Sequence, residues 1–175
     1  MSGDRAAILE RARAVRLAIF DVDGVMTDGT IYIGASGESF KAFNILDGHG
    51  LKMLRESGIA TAILSGRSHK AVDRRAKELA IDHVIQGRPD KVPEFEKLIK
   101  RLKLEAGACA YMGDDLPDLP VMRRCGLAVA VANAADAFNS AAHYVTRASG
   151  GRGAVREFCE LVLEAQGQLA ARTAV

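Results

Sequence analysis

Residues 15–29 read VRLAIFDVDGVMTDG, an apolar, β-prone run that stops abruptly at Asp21, Asp23 and Asp28. The run 15–20 is too short for a buried helix, and from Leu17 it shows no polar alternation. It therefore reads as a strand covered on both faces. Similar runs recur at 59–64 (IATAIL), 82–85 (DHVI), 108–112 (ACAYM) and 127–131 (LAVAV), with a weaker one at 143–145. Helical patterns fill the gaps at 48–57, 69–79, 91–102, 116–124 and 134–141. Strand–helix alternation of this kind predicts an α/β fold, a three-layer Rossmann-like parallel sheet.

One segment breaks the rhythm. TIYI at 30–33 and ESFKAF at 38–43 flank Gly34-Ala35-Ser36-Gly37, a turn signal between two β-prone runs. A small β-hairpin flap over about 30–43 is expected after the first strand. Farther on, Gly150-Gly151-Arg152-Gly153 reads as a flexible loop leading into an amphipathic helix at 154–169. Residues 173–175 are expected to fray.

The 175 residues, 49% hydrophobic and 26% charged, fit one globular domain spanning 1–175 and exclude a disordered chain. Lys plus Arg total 24 against 22 acidic residues, a net charge of +2, so no electrostatic case exists for a nucleic-acid partner. With no Trp, three Tyr and six Phe, stacking platforms for bases are scarce as well. Cys109, Cys125 and Cys159 have no metal or redox spacing and read as buried reduced thiols. No secretory signal and no apolar stretch of about 20 residues is found, so a cytoplasmic protein without membrane partners is expected.

Ligands of open α/β sheets bind beyond the carboxyl ends of the strands. In this sequence the strand ends carry Asp21, Asp23 and Asp28, then Ser65, Gly66 and Arg67, then Asp90 and Lys91, then Gly113, Asp114, Asp115 and Asp118. Carboxylates gathered at one edge need a neutralising partner, and Mg²⁺ held by one or two carboxylates plus waters and phosphate is the usual one. Asp21, Asp114 and the backbone carbonyl of Asp23 are the expected metal ligands. Asp115 and Asp118 are expected to hold coordinated waters, helix capping being the alternative for Asp118. For a phosphoryl group, Lys91 supplies a compact cation and Ser65 a hydroxyl. Further donors are the backbone N–H groups near Val22 and Gly66. Asp21 can then act as nucleophile, and Asp23 as general acid and base.

DVDGVMTDG, LSGR, GRPDK and GDDLPD resemble, in order, the four motifs of the haloacid dehalogenase-like phosphohydrolases. The resemblance implies the same roles for Asp21, Asp23, Ser65, Lys91 and Asp114. The gaps between these motifs leave no room for a cap domain. KAFNILDGHGLKML, GDDLPDLPVMRRCGLAVAVANA and YVTRASGGRGAVRE are similar to a narrower family, the 3-deoxy-D-manno-octulosonate 8-phosphate phosphatases of lipopolysaccharide precursor synthesis. That resemblance implies a substrate loop of Asn44, Ile45, Leu46, Asp47 and Gly48, with Lys52, Arg67, Arg75 and Lys91 as basic contacts. It also implies a homotetramer with shared active sites, in which the tail at about 150–175, with Arg152 and Arg156, reaches a neighbouring site. A mobile loop is the alternative for 150–153, and a surface position for Arg75. A sugar acid phosphate is anionic at both ends, which suits an Arg67 able to grip a carboxylate in bidentate fashion. Two alternatives stand beside this: a phosphatase for a nine-carbon sialic-acid-type phosphate, and a receiver-type signalling domain. The second is disfavoured by the order of the motifs, with D-x-D after strand one and G-D-D after strand four.

Overall fold

The computed structural model describes residues 5–170. A first helix, α1 (Arg5–Arg13), leads into β1 (Leu17–Phe20), whose four side chains are wholly buried. The hairpin β2 (Tyr32–Gly34) and β3 (Gly37–Phe40) follows, then α2 (Ile45–Glu56), β4 (Ala60–Leu64), α3 (Lys70–Leu79) and β5 (His83–Ile85). The second half runs α4 (Val92–Leu102), β6 (Cys109–Gly113), α5 (Leu119–Met122), β7 (Leu127–Ala130), α6 (Asp136–Asn139), β8 (Tyr144–Val145) and α7 (Ala154–Ala165).

Six strands form one parallel sheet in the order β5-β4-β1-β6-β7-β8, and β2 and β3 pair separately in antiparallel register. Strand β1 is central, with Phe20 aligned on Ile63 of β4 and on Met112 of β6. The chain moves outward on one side through β4 and β5, then crosses to β6, β7 and β8 on the other. The order reverses between β1 and β6, which is where an open α/β sheet leaves a crevice for ligand. Helices α1, α2 and α7 pack together, and α4 and α5 pack together against the β6–β7 side. Phe20 meets Phe158 of α7 edge to face at 5.7 Å between ring centres, joining strand and helix layer in one core.

Several details differ from the sequence expectations, α5 and α6 being shorter than the expected 116–124 and 134–141 among them. Helix α1 was not foreseen. Its three arginines and one glutamate hide a narrow apolar side on which Ile8 and Ala12 are buried. The stretch 44–48 is the start of α2 rather than a loop. Asn44 is its N-cap, accepting from the N–H groups of Leu46 at 2.7 Å and Asp47 at 3.3 Å. The 150–153 segment is a clamped turn, not a flexible loop. The Gly150 N–H donates to Asn133 Oδ1 at 2.8 Å, and the Gly151 N–H donates to the Val25 carbonyl at 2.9 Å. A Cβ on Gly150 would stand 1.7 Å from the Gly24 carbonyl oxygen, so only glycine permits this approach.

Helix α7 has no side-chain cap of its own at Gly153. Asp47 of α2 supplies one, accepting from the N–H groups of Gly153 at 3.3 Å and Arg156 at 2.9 Å. Eight residues of α7 are buried, so this helix belongs to the core and is no free tail. It ends at Ala165, four residues short of the expected 169. The expected fraying of 173–175 lies outside the described residues.

Candidate active site

Strand β1 delivers Asp21 directly above the core. Its N–H still donates to the Met112 carbonyl at 3.0 Å, so the sheet ladder fixes the backbone of this residue. The chain then turns sharply, with the N–H groups of Val25, Met26 and Thr27 converging on the Val22 carbonyl. Val22 and Val25 are wholly buried and pin the turn from below. Gly24 takes φ +82°, and a Cβ there would fall 1.9 Å from Asp114 Oδ2. The glycine of D-x-D-G thus leaves the space that Asp114 occupies.

Lys91 is the N-cap residue of α4, yet its side chain makes no cap. It turns instead into the site, where it is 4% exposed. Its Nζ lies 2.5 Å from Asp118 Oδ1, 3.2 Å from Tyr111 Oη and 3.0 Å from Asp21 Oδ1. Tyr111 Oη donates to Asp118 Oδ1 at 2.5 Å, and the Asp114 N–H donates to Asp118 Oδ2 at 3.2 Å. Asp118 is thus occupied on both oxygens. It caps no helix with its side chain, and it braces the lysine and the Asp114 backbone. Asp115 caps the short 3₁₀ turn Leu116–Asp118 through the Leu116 N–H at 2.7 Å.

Asp21, Asp114 and Asp118 each place a carboxylate oxygen within 4.8 Å of the others. Burial, with Asp118 nearby, pushes the Asp21 pKa up to about 6 against the pull of Lys91. Burial, with Asp21, Asp118 and Asp115 around it, pushes Asp114 to about 7. Burial works against the Lys91 charge too, but Asp21 and Asp118 hold its pKa above the ordinary value. The ammonium sits beside Asp21 Oδ1 without an aligned hydrogen bond, and that oxygen is buried with no donor. Hard oxygens crowded together, one of them orphaned, are the donor set that a divalent cation such as Mg²⁺ fits.

A cleft of about 480 Å³ opens above this floor and takes in Asp21, Asp23, Ser65, Gly66, Arg67, Lys91 and Asp114. Ser65 is held by its N–H to the Ile85 carbonyl at 2.9 Å, a continuation of the β4–β5 ladder. Asp23 sits higher, with Arg67 Nε 3.6 Å from its Oδ2. Asn44, Ile45, Leu46, Asp47, Gly48, Lys52 and Arg75 do not line this cleft within one chain. The Arg75 guanidinium donates to the Asn44 carbonyl at 3.2 Å and pairs with Glu78 at 2.9 Å. Ile45 and Leu46 stand 81% and 60% exposed.

Two participants escaped the sequence reading. Tyr111 lies inside an apolar strand and gives no sign there of its bond to Asp118. Lys41, just past β3, is buried and forms an ion pair with Asp23 Oδ1. A lysine between Phe40 and Phe43 was the one available signal, because that hairpin otherwise faces outward.

A model of the haloacid dehalogenase-like hydrolases matches residues 83–158. The chain is 49% identical over 166 residues to the 3-deoxy-D-manno-octulosonate 8-phosphate phosphatase of Yersinia pestis, covering 95% of this chain and 89% of that protein. The Moraxella catarrhalis phosphatase of the same name, solved with a magnesium ion, a phosphate ion and a KDO molecule, is 46% identical. It superposes with a TM-score of 0.93 over 95% of this chain and 96% of that one. The cobalt-bound form of the Haemophilus influenzae phosphatase is 37% identical with a TM-score of 0.91, over 94% of this chain and 96% of that one. With its motifs at the strand ends and no cap over the sheet, the chain belongs to the 3-deoxy-D-manno-octulosonate 8-phosphate phosphatase family of the haloacid dehalogenase-like hydrolases.

Proposed function

We propose that this chain is a Mg²⁺-dependent phosphomonoesterase that hydrolyses 3-deoxy-D-manno-octulosonate 8-phosphate to the free sugar acid and inorganic phosphate, in lipopolysaccharide precursor synthesis. The observation that carries the reaction is the pairing of Asp21 and Asp23 at one strand end. One carboxylate is buried beside Lys91, and the other stands two residues on in the cleft. Asp21, Asp114 and the Asp23 carbonyl would hold the metal, since both oxygens of Asp118 are already engaged. When bound, Mg²⁺ supplies charge neutralisation for the phosphoryl oxygens and keeps Asp21 ionised.

A carboxylate oxygen of Asp21 attacks phosphorus, and the bond from phosphorus to the sugar oxygen breaks. Asp23 gives its proton to that departing oxygen, leaving an aspartyl phosphate on Asp21. Asp23 then takes a proton from water as the water oxygen attacks phosphorus. Phosphate departs and the Asp21 carboxylate is restored. The Ser65 hydroxyl, the Gly66 N–H and the Lys91 ammonium hold the nonbridging oxygens throughout. Arg67, exposed at the cleft mouth, is placed to take the sugar carboxylate.

We place this single phosphatase domain in a cytoplasmic homotetramer. Supporting that reading are three buried, unpaired cysteines and a group of exposed apolar side chains around the hairpin and the start of α2, Ile33, Phe40, Ile45 and Leu46. In such an assembly Asn44, Ile45, Leu46, Gly48 and Lys52 serve a partner's cleft, while Asp47 and Arg75 fix the turn that presents them. Among the described residues no helix is long and apolar enough to cross a membrane.

The test is phosphate release from a panel: the eight-carbon acid 8-phosphate, a nine-carbon sialic-acid-type phosphate and a neutral hexose phosphate, each with Mg²⁺ and with chelator. The eight-carbon acid is expected to give the highest kcat/KM, lost on chelation and regained with Mg²⁺. Preference for the nine-carbon acid overturns the substrate, and a single turnover without further release overturns the reaction.

A further inference from the structure

Lys41 lies outside every catalytic motif, at the exit of an exposed hairpin, yet its side chain is only 1% exposed. Burying a long amine sacrifices rotamer freedom and hydration, and an apolar residue would fill the same space without that cost. A partner that helps to offset it is the Asp23 carboxylate, through Oδ1. The other oxygen, Oδ2, lies toward Arg67 and the cleft. The two cations differ in kind. The Arg67 side chain is 48% exposed, at a distance of 3.6 Å, and can leave for an arriving anion, whereas Lys41 is enclosed.

A carboxyl group turns easily about its last torsion, so the direction in which one oxygen points is loose unless the other is held. We propose that Lys41 is a positioning residue for Asp23. By holding Oδ1 it keeps Oδ2 as the oxygen that meets the departing sugar oxygen and the attacking water. The base of the hairpin is thereby part of the acid/base machinery, not only a flap. This inference rests on the acid/base role given to Asp23 above.

A test that separates positioning from general damage uses the leaving group. A sugar alkoxide needs a proton to depart, whereas p-nitrophenolate does not, and kcat/KM reports the steps through aspartyl-phosphate formation. The full chain with Mg²⁺ is assayed on the sugar acid phosphate and on p-nitrophenyl phosphate, as wild type, Lys41→Met and Lys41→Gln. General acid catalysis is worth about 10²–10⁴-fold, so Lys41→Met is expected to lose about 100-fold in kcat/KM on the sugar phosphate and less than about threefold on the nitrophenyl ester. Lys41→Gln, which keeps an N–H donor, should fall between, and inhibition by inorganic phosphate should be unchanged in both. Should Lys41→Met not fold, the same contrast is read from Lys41→Gln. Equal losses on both esters, or none on either, overturn the positioning role. A wild type inactive on both esters overturns the proposed reaction instead.

Discussion

The floor of the cleft and its rim are built on opposite principles. At the floor, Asp21, Lys91, Tyr111, Asp114 and Asp118 are locked by sheet ladders and by each other, with almost no exposure among the central members. At the rim, the hairpin and the first turn of α2 display Ile33, 77% exposed, Ile45, 81% exposed, and Leu46 to solvent. One chain thus contains a finished reaction centre and an unfinished enclosure. The chemistry is carried by positions that the sheet dictates, and recognition by surfaces that none of the described residues covers.

The sharpest way to break this comparison is at the nucleophile. Asp21→Asn should lower kcat by about 10⁴-fold or more, as removal of a covalent nucleophile does elsewhere. Because burial disfavours the Asp21 charge, the variant should melt no lower than wild type at pH 8 in chelator. Near-native turnover in this variant would mean that the floor does not hold the reacting group.

A second test reads the floor without turnover. Asp21 and Asp114 bind their protons more tightly when folded, with pKa values near 6 and 7 against an ordinary 3.8. At these two carboxyl groups the unfolded chain binds fewer protons between about pH 4 and pH 7, so their contribution to stability falls as pH rises through that window. In chelator the melting temperature should decline over this range, and Mg²⁺ should remove most of the decline. Asp114→Asn should flatten it without metal. A flat profile in the chelated wild type would show that the carboxylates do not strain the empty floor.

The smallest effect on the isolated fold belongs to the rim. Ile33→Asp with Ile45→Asp, both exposed, should change stability by no more than about 0.5 kcal/mol per site if the chain stands alone. Sedimentation should nevertheless show a loss of the oligomer, together with a higher KM for the sugar acid phosphate. An unchanged assembly would return these side chains to ordinary surface.

The same division governs how much the sequence disclosed. Strand ends are legible because a buried parallel strand is a continuous apolar run, and the polar residue that stops it marks the binding edge. Asp21, Ser65 and Asp114 announce themselves in this way, whereas Lys91, at the N-cap of α4, is reached through its GRPDK motif. Lys41 does not, because its burial depends on how a surface hairpin folds back over Asp23. Asn44 and Asp47 carry the spacing of a helix start, with a cap residue and an acidic residue three positions on, and a reading as loop overlooked it. Asp118 shows a subtler limit. A coordinated water or a helix cap is all that its sequence position suggests, and strand β6 adds what that position does not show, a Tyr111 beneath it that makes it the brace for Lys91.

The Gly150 contact with Gly24 and the capping of α7 by Asp47 have a consequence for synthesis. The loop that carries the nucleophile leans on a turn made almost 130 residues later, and Phe20 packs on a helix that arrives after it. At about 5–20 residues per second, α7 is completed roughly 10–30 s after Asp21 is joined to the chain. Until then the turn beneath Asp21 lacks its support and β1 is uncovered on one side. Phosphatase activity of a nascent chain is therefore expected only once α7 has left the ribosome.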